Sequence, residues 1–460
     1  MNTKRHWSEI TPNRVLPLLL VSQLFYLYSL SIPAQLASGR LFIPAARFSD
    51  WHHVFETSLQ IDPFGQALHG PAAYPATIYL ACKLIARTVL LLGAGIQASS
   101  LITYFSIFAI SSVAISRNLA KIIAHTTTQK IKSSHRWMAT LVLIFSYPYV
   151  FSFDRGNIEF LAFLAVSLYV NAYLSDKRLA NEGRSPWRRI AYLAAGALVK
   201  PYVLIFLLIE FCLESAKATL VRLLSAFGVV TALNLISTFI LYNGNLLRGI
   251  GNARQAQARF TKEYVLGGNG SHFFSGPYVS IKYICVNILG IKPTEFLAIY
   301  IIFSGLIVII VLVQLWQNRK VASIGLALFT ISTILLIFPH LANDYRSIYF
   351  ILPFLTIGTP WASSSSPAHK PFRLLVQGLS FTKILEPITT YIKHNLGSNT
   401  SLIILSGSFL LNKNLFLINK ISDLQYLPAF DIGWIISSIL ACISVFSALL
   451  AIATASEAVT

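Results

Sequence analysis

Asp154-Arg155-Gly156-Asn157 sets an acid, a base, a helix breaker and an amide in a row between two apolar stretches of the chain. A carboxylate there can orient a hydroxyl and take its proton, and a guanidinium can hold a phosphate or a developing negative charge. A turn that only joined two helices would use neutral residues. Further on, Lys200-Pro201 interrupts another apolar stretch, Ala191 to Leu213. Two more polar groups have the same character: Arg47 to Asp62, which holds Asp50, His52 and His53, and His340 to Arg346.

The elements that must carry these groups are membrane helices. Of 460 residues, 55% are hydrophobic and 12% charged, with a mean hydropathy of +0.65, a composition outside the range of soluble domains. Runs of about 20 apolar residues, enough to cross about 30 Å of hydrocarbon as a helix, recur from Val15 to the C-terminus. The pattern predicts an all-α polytopic membrane protein with about twelve transmembrane helices. The first run, Val15 to Ile32, follows Lys4, Arg5 and Arg14. It is too long for a signal-peptide core and lacks a small-residue cleavage site, which points to a retained anchor.

A net charge of +19 could suggest nucleic acid. The basic residues are shared among short loops, however, and form no basic, aromatic-interleaved face, so positive-inside bias accounts for them and no nucleic-acid partner is expected. Cys82, Cys212, Cys285 and Cys442 lie far apart in apolar surroundings and read as packed thiols. A single disulfide between Cys82 and Cys285 stays open if both face an oxidising side.

Loop charges orient the chain. Arg117 to Arg136 holds five basic residues and no acid, and Asp176 to Arg189 holds five against two, so both belong inside. The crossings between them, Trp137 to Ser152 and Ile158 to Leu174, then put the Asp154–Asn157 tip outside. Counting from the first crossing leaves room for one more before Arg117. Tyr74 to Gly93 carries Lys83 and Arg87, each costing about 2.5–3.5 kcal/mol at mid-bilayer, so Tyr74 to Leu92 reads as an amphipathic helix on the outer leaflet. Residues 33–95 form a first extracytoplasmic loop and residues 243–295 a second, whose glycine-rich Gly267 to Gly276 reads as mobile or ligand-ordered. Lys200-Pro201 is either the outer meeting point of two short helices or a kink in one tilted span. Val321 to Phe338 runs outward and Tyr345 to Gly358 back, so all four polar groups, Arg47 to Asp62, Asp154 to Glu159, Lys200 and His340 to Arg346, fall on one side. Residues 361–460 make a linker and a C-terminal transmembrane region with a span at Ile432 to Ala453.

Each group has a bland alternative. Asp154 with Asn157 could simply cap a helix, Arg155 could touch lipid headgroups, and an Asp-Arg pair could be structural. His52 and His53 beside Asp50, with His272 and His340, invite a metal reading, but no His-x3-His or paired-carboxylate helix accompanies them and no metal site is expected.

Taken in order, Phe48-Ser49-Asp50-Trp51, Asp62-Pro63-Phe64, Ala73-Tyr74-Pro75-Ala76, Phe153-Asp154-Arg155-Gly156-Asn157, the Ala195 to Tyr202 stretch and Asp344-Tyr345-Arg346 resemble the integral-membrane GT-C glycosyltransferases, specifically glycosyltransferase family 87. The resemblance covers about residues 10 to 360, making 1–360 the catalytic domain; the remainder has no counterpart in it. Where the family often has Tyr-Pro-Pro, this chain has Tyr74-Pro75-Ala76. The resemblance implies a polyprenyl-phosphate sugar donor, mannose at the level of the family, and a hydroxyl acceptor on a lipid, glycan or protein at the outer face of a bacterial plasma membrane. Asp50 matches the family's catalytic aspartate. Arg155, Lys200 and Arg346 would hold the departing phosphate, and Asp154, Asn157, Tyr74 and His340 would complete the substrate site. No cofactor is expected, because a monophosphate leaves without a chelated diphosphate. A lipid-linked-sugar flippase or transporter, and a glycan polymerase or ligase, remain as alternatives.

Overall fold

The structure, a computed structural model, describes residues 48–65, 74–91, 93, 95–126, 132–178, 187–213, 216–266, 277–317, 323–337, 344–357, 399–410 and 439–449. Among the described residues the regular structure is entirely helical. In chain order, α1 is Ser49–Leu59, α2 Ala76–Leu91, α3 Ile96–Thr126, α4 Ser133–Ile144, α5 Tyr147–Arg155, α6 Glu159–Arg178 and α7 Trp187–Val199. A 3-10 segment, Pro201–Leu207, runs into α8, Leu208–Leu213; α9 is Ala216–Leu241 and α10 Leu246–Phe260. Then come α11 Pro277–Lys282, α12 Pro293–Gln317, α13 Ile324–Ile337, a 3-10 segment Asp344–Phe350 that continues as α14 Ile351–Thr356, α15 Asn399–Leu410 and α16 Ile439–Leu449.

Three of these, α3, α9 and α12, are long and apolar enough to cross a membrane, and α4 with α5 makes a fourth if the bent pair is one span. Their exposed residues are those a bilayer would cover: Leu224, Phe227 and Ile236 on α9, Ile302 and Phe303 on α12. Helix α13 is the opposite case, buried along its whole length, which puts it in the middle of the bundle.

Trp137 to Ser152, expected as one straight crossing, is broken. Helices α4 and α5 meet at 58°, with Pro148 in the first turn of α5, where its missing N–H and its ring prevent α4 from continuing. The Lys200 alternative resolves toward two short helices. Lys200 is extended at φ −140° and ψ 104°, as a residue before proline prefers, and the chain turns back on itself there. At one end of the hairpin the Tyr202 hydroxyl donates to Glu159 Oε1, at the start of α6. At the other, Glu210 in α8 meets Arg189 in the first turn of α7 at 3.3 Å. With 13 residues, α7 spans about 20 Å, short of a full bilayer.

That far end is clasped by charge. Glu210 is fully buried between Arg189 and Arg222, and Arg188 Nη2 donates to Asp176 Oδ1 at 2.9 Å, tying α6, α7, α8 and α9 together.

The segment 33–95, expected as an outer loop with a helix from Tyr74 to Leu92, contains α2, which buries Ala76, Tyr79, Cys82 and Ala86 along one side. Lys83 Nζ donates to the Gln60 carbonyl at 3.3 Å, and Arg87 is exposed. The segment 243–295, expected as a second outer loop, is largely helical where it is described. Helix α10 starts at an Asn245 cap, whose side chain accepts the Arg248 N–H at 3.0 Å, and Gly249 lets it lie directly on Thr238 and Tyr242 of the preceding span. The glycine-rich 267–276 stretch lies outside the described residues. From the tail, Phe409 of α15 stacks on Phe350 with ring centroids 4.2 Å apart, joining that helix to the same core.

Candidate functional site

Two of the sequence motifs fold against each other. The Phe48 N–H donates to the Asp154 carbonyl at 2.8 Å, and between them Gly156 adopts φ 69° at the end of α5. A Cβ on Gly156 would stand 2.8 Å from both Phe48 Cα and Trp51 Cβ, so close approach as well as the left-handed backbone requires glycine. The Phe48 ring is held by Tyr104, Phe105 and Phe153. Trp51 Nε1 donates to the Ser100 carbonyl at 2.8 Å, and Tyr104 closes the end of α5 by donating to the Ser152 carbonyl at 3.1 Å.

This junction fixes Asn157. Its N–H donates to the Ser152 carbonyl at 2.8 Å, and its own carbonyl accepts the Ser152 hydroxyl at 2.8 Å. Its Oδ1 accepts the Glu159 N–H at 3.0 Å, which leaves Nδ2 to donate to Asp50 Oδ2 at 2.8 Å. The amide orientation follows from that backbone donor. Asp50 sits in the first turn of α1, partly exposed, with one carboxylate oxygen pinned by Asn157.

The cations approach from two other elements. Lys200 Nζ lies over the Tyr74 ring, 4.1 Å from its centroid, and the Arg346 guanidinium lies over the Tyr202 ring at 4.1 Å. Such contacts are worth up to about 2 kcal/mol when desolvated. Glu159, Arg346 and Asp50 are the charged groups that act on Lys200. Among the described residues neither cation forms an ion pair with a carboxylate, and the buried Arg346 Nε has no hydrogen-bond partner. Glu159 is fully buried; its Oε1 accepts from the hydroxyls of Tyr202 and of Tyr349, the latter at 2.7 Å.

Asp50, Asn157, Lys200, Tyr74 and Arg346 thus gather at one end of the bundle. Asp154 contributes its main-chain carbonyl, and its side chain is buried. The Arg155 guanidinium lies over Phe151, one turn earlier on its own helix, at 5.6 Å. His340 and His272 lie outside the described residues. Asp62 does structural work, accepting from the Tyr242 hydroxyl at 2.5 Å and from Asn252 Nδ2 at 2.6 Å and so fastening the segment after α1 to the chain just after α9 and to α10.

Glu159, Tyr202 and Tyr349 were not among the site residues expected from sequence. An acid in the first turn of a helix ordinarily reads as a partner for the helix dipole; the contrary signal was its setting between Ile158 and Phe160 at the start of an apolar run. Among the described residues no three His, Cys, Asp or Glu side chains come together as metal ligands. His52 Nδ1 instead shares a hydrogen bond with Ser100 Oγ at 3.0 Å. Cys82 and Cys285, the pair a disulfide would have used, are free thiols, and Cys442 is exposed where a packed thiol was expected.

Comparison with protein families, with curated proteins and with solved structures finds no match for this chain.

Proposed function

We propose that the chain is a GT-C-type glycosyltransferase with about twelve crossings, set in a bacterial plasma membrane with its site on the extracytoplasmic side. It moves a hexose, mannose in the family it resembles, from polyprenyl phosphate to a hydroxyl of a lipid or glycan. The observation that carries this reading is Asp50, pinned through one oxygen by Asn157, together with two cations seated on tyrosine rings, Lys200 on Tyr74 and Arg346 on Tyr202.

In the proposed step the second Asp50 oxygen accepts the acceptor's hydroxyl proton as the acceptor's hydroxyl oxygen bonds to the anomeric carbon. The bond from that carbon to the phosphate oxygen breaks with its electron pair, and polyprenyl phosphate departs with its added charge held by Lys200 and Arg346. Attack opposite the leaving group inverts the anomeric centre. Fixed cations in a poorly hydrated site are worth more than in water, and losing one typically costs about 3–4 kcal/mol of barrier.

The test is incubation of purified protein in liposomes with a panel of polyprenyl-phosphate sugars and membrane lipid extract, the products being identified by mass spectrometry. A new glycoside is the expected result. Labelled sugar lipid that changes leaflet without bond formation would replace the reading with a flippase, and a product carrying many added sugars would replace it with a polymerase.

A further inference from the structure

Glu159 joins the two halves of the site. Its main-chain N–H fixes the Asn157 amide, which fixes Asp50. Its side chain, with no exposed surface, accepts the Tyr202 hydroxyl through Oε1, and the ring of that tyrosine is the platform under Arg346. The second oxygen, Oε2, is buried and has no hydrogen-bond partner among the described residues. A buried carboxylate with an unused acceptor is costly to maintain, and Lys200 is a cation on which its charge acts. We infer that Glu159 is a positioning residue whose charge, relayed through the Tyr202 hydroxyl, holds Arg346 in place to receive a lipid phosphate, while its backbone sets the base. The inference rests on the proposed function.

A phenol that donates to a carboxylate carries more electron density on its ring than one that donates to a neutral amide, so the platform under the guanidinium is strengthened by the charge of Glu159. Removing that charge weakens the hold on Arg346 and leaves the Asn157–Asp50 bond intact. The Glu159 side chain therefore acts on the phosphate end of the site through Arg346, and its backbone acts on the base through Asn157.

The experiment measures binding of a short-chain isoprenyl phosphate, and separately of its mannosyl ester, to full-length protein in detergent by calorimetry. The variants are Glu159→Gln, Tyr202→Phe and the double replacement. Each single variant is expected to bind about tenfold more weakly and to turn over more slowly at saturating donor, because Arg346 also holds the departing phosphate, and the double variant is expected to do no worse than the worse single. Glu159→Gln preserves the size of the side chain and an acceptor for Tyr202, so a soluble, monodisperse variant is expected, and Glu159→Asp should recover part of the lost affinity. Wild-type affinity in Glu159→Gln, or losses that simply add in the double variant, would overturn the inference and leave the proposed function standing. Failure of the wild-type protein to bind either probe would remove the phosphate reading and this inference with it.

Discussion

The side-chain amide of Asn157 donates to Asp50 Oδ2 at 2.8 Å, across 107 positions of the chain. The family resemblance gives Asp50 the base role, and Asn157 reads by itself as part of a helix cap; the bond makes them one unit. Since Asn157 Oδ1 is already occupied by the Glu159 N–H, the amide cannot turn over without losing both contacts.

Asn157→Ala frees Asp50 to leave its position. A misplacement of about 1 Å near reacting atoms lowers rates about a hundredfold, so turnover number should fall by that order in a steady-state transfer assay while donor KM stays within about threefold. Asn157→Asp, which sets a second acceptor against the Asp50 carboxylate, should be worse than Ala. An alanine variant with normal turnover would mean that Asp50 does not depend on this bond.

Gly156→Ala should destabilise the fold by about 1–3 kcal/mol, from the left-handed backbone and from the contacts its Cβ would make with Phe48 and Trp51. Thermal unfolding in detergent reads this as a lowered midpoint. Gly251→Ala is the matched control, because it lies inside α10 with nothing near its Cβ, and alanine there should be neutral or stabilising by up to about 1 kcal/mol.

Tyr74 supports Lys200 through its ring. Tyr74→Phe should therefore keep most activity, while Tyr74→Leu should cost about tenfold in donor affinity. Lys200→Gln should lose about two to three decades in kcat/KM. Equal losses in the Phe and Leu variants would assign the role to the hydroxyl and not to the ring.

At the other end, Glu210→Gln removes the charge between Arg189 and the half-buried Arg222, leaving Arg189 beside the Asp176 carboxylate at 3.5 Å. Breaking such a cluster costs about 3–5 kcal/mol, seen as a large fall in unfolding midpoint. The fraction that folds should bind donor with unchanged affinity, since the clasp lies at the end of the α7–α8 hairpin away from Lys200.

Much of this arrangement was legible in the chain. Charge bias placed Asp154, Lys200 and Arg346 at one end because loops between apolar runs alternate sides, and that rule needs no packing detail. Pro201 marked a break at Lys200, because the residue before a proline avoids helical dihedrals, but left a reversal and a kink both compatible with the apolar run around it. The bend before Pro148 was missed because the apolar run Trp137 to Ser152 continues through it, and hydropathy does not register direction. Helix α10 was hidden by its polar face within a segment read as loop. Tyr349 carried no local signal at all: it joins Glu159 only because the 3-10 segment after α13 folds back on the start of α6, a long-range relation that one sequence does not display.

The most direct test of Asp50 as the base is Asp50→Asn in the reconstituted transfer assay, run beside isoprenyl phosphate binding by the same preparation. Asparagine can still present an oxygen to Asn157 Nδ2, so the site should assemble and bind the phosphate normally while losing its proton acceptor. Unchanged binding with no detectable glycoside is the predicted result. Glycoside formed by Asp50→Asn at the wild-type rate would contradict it.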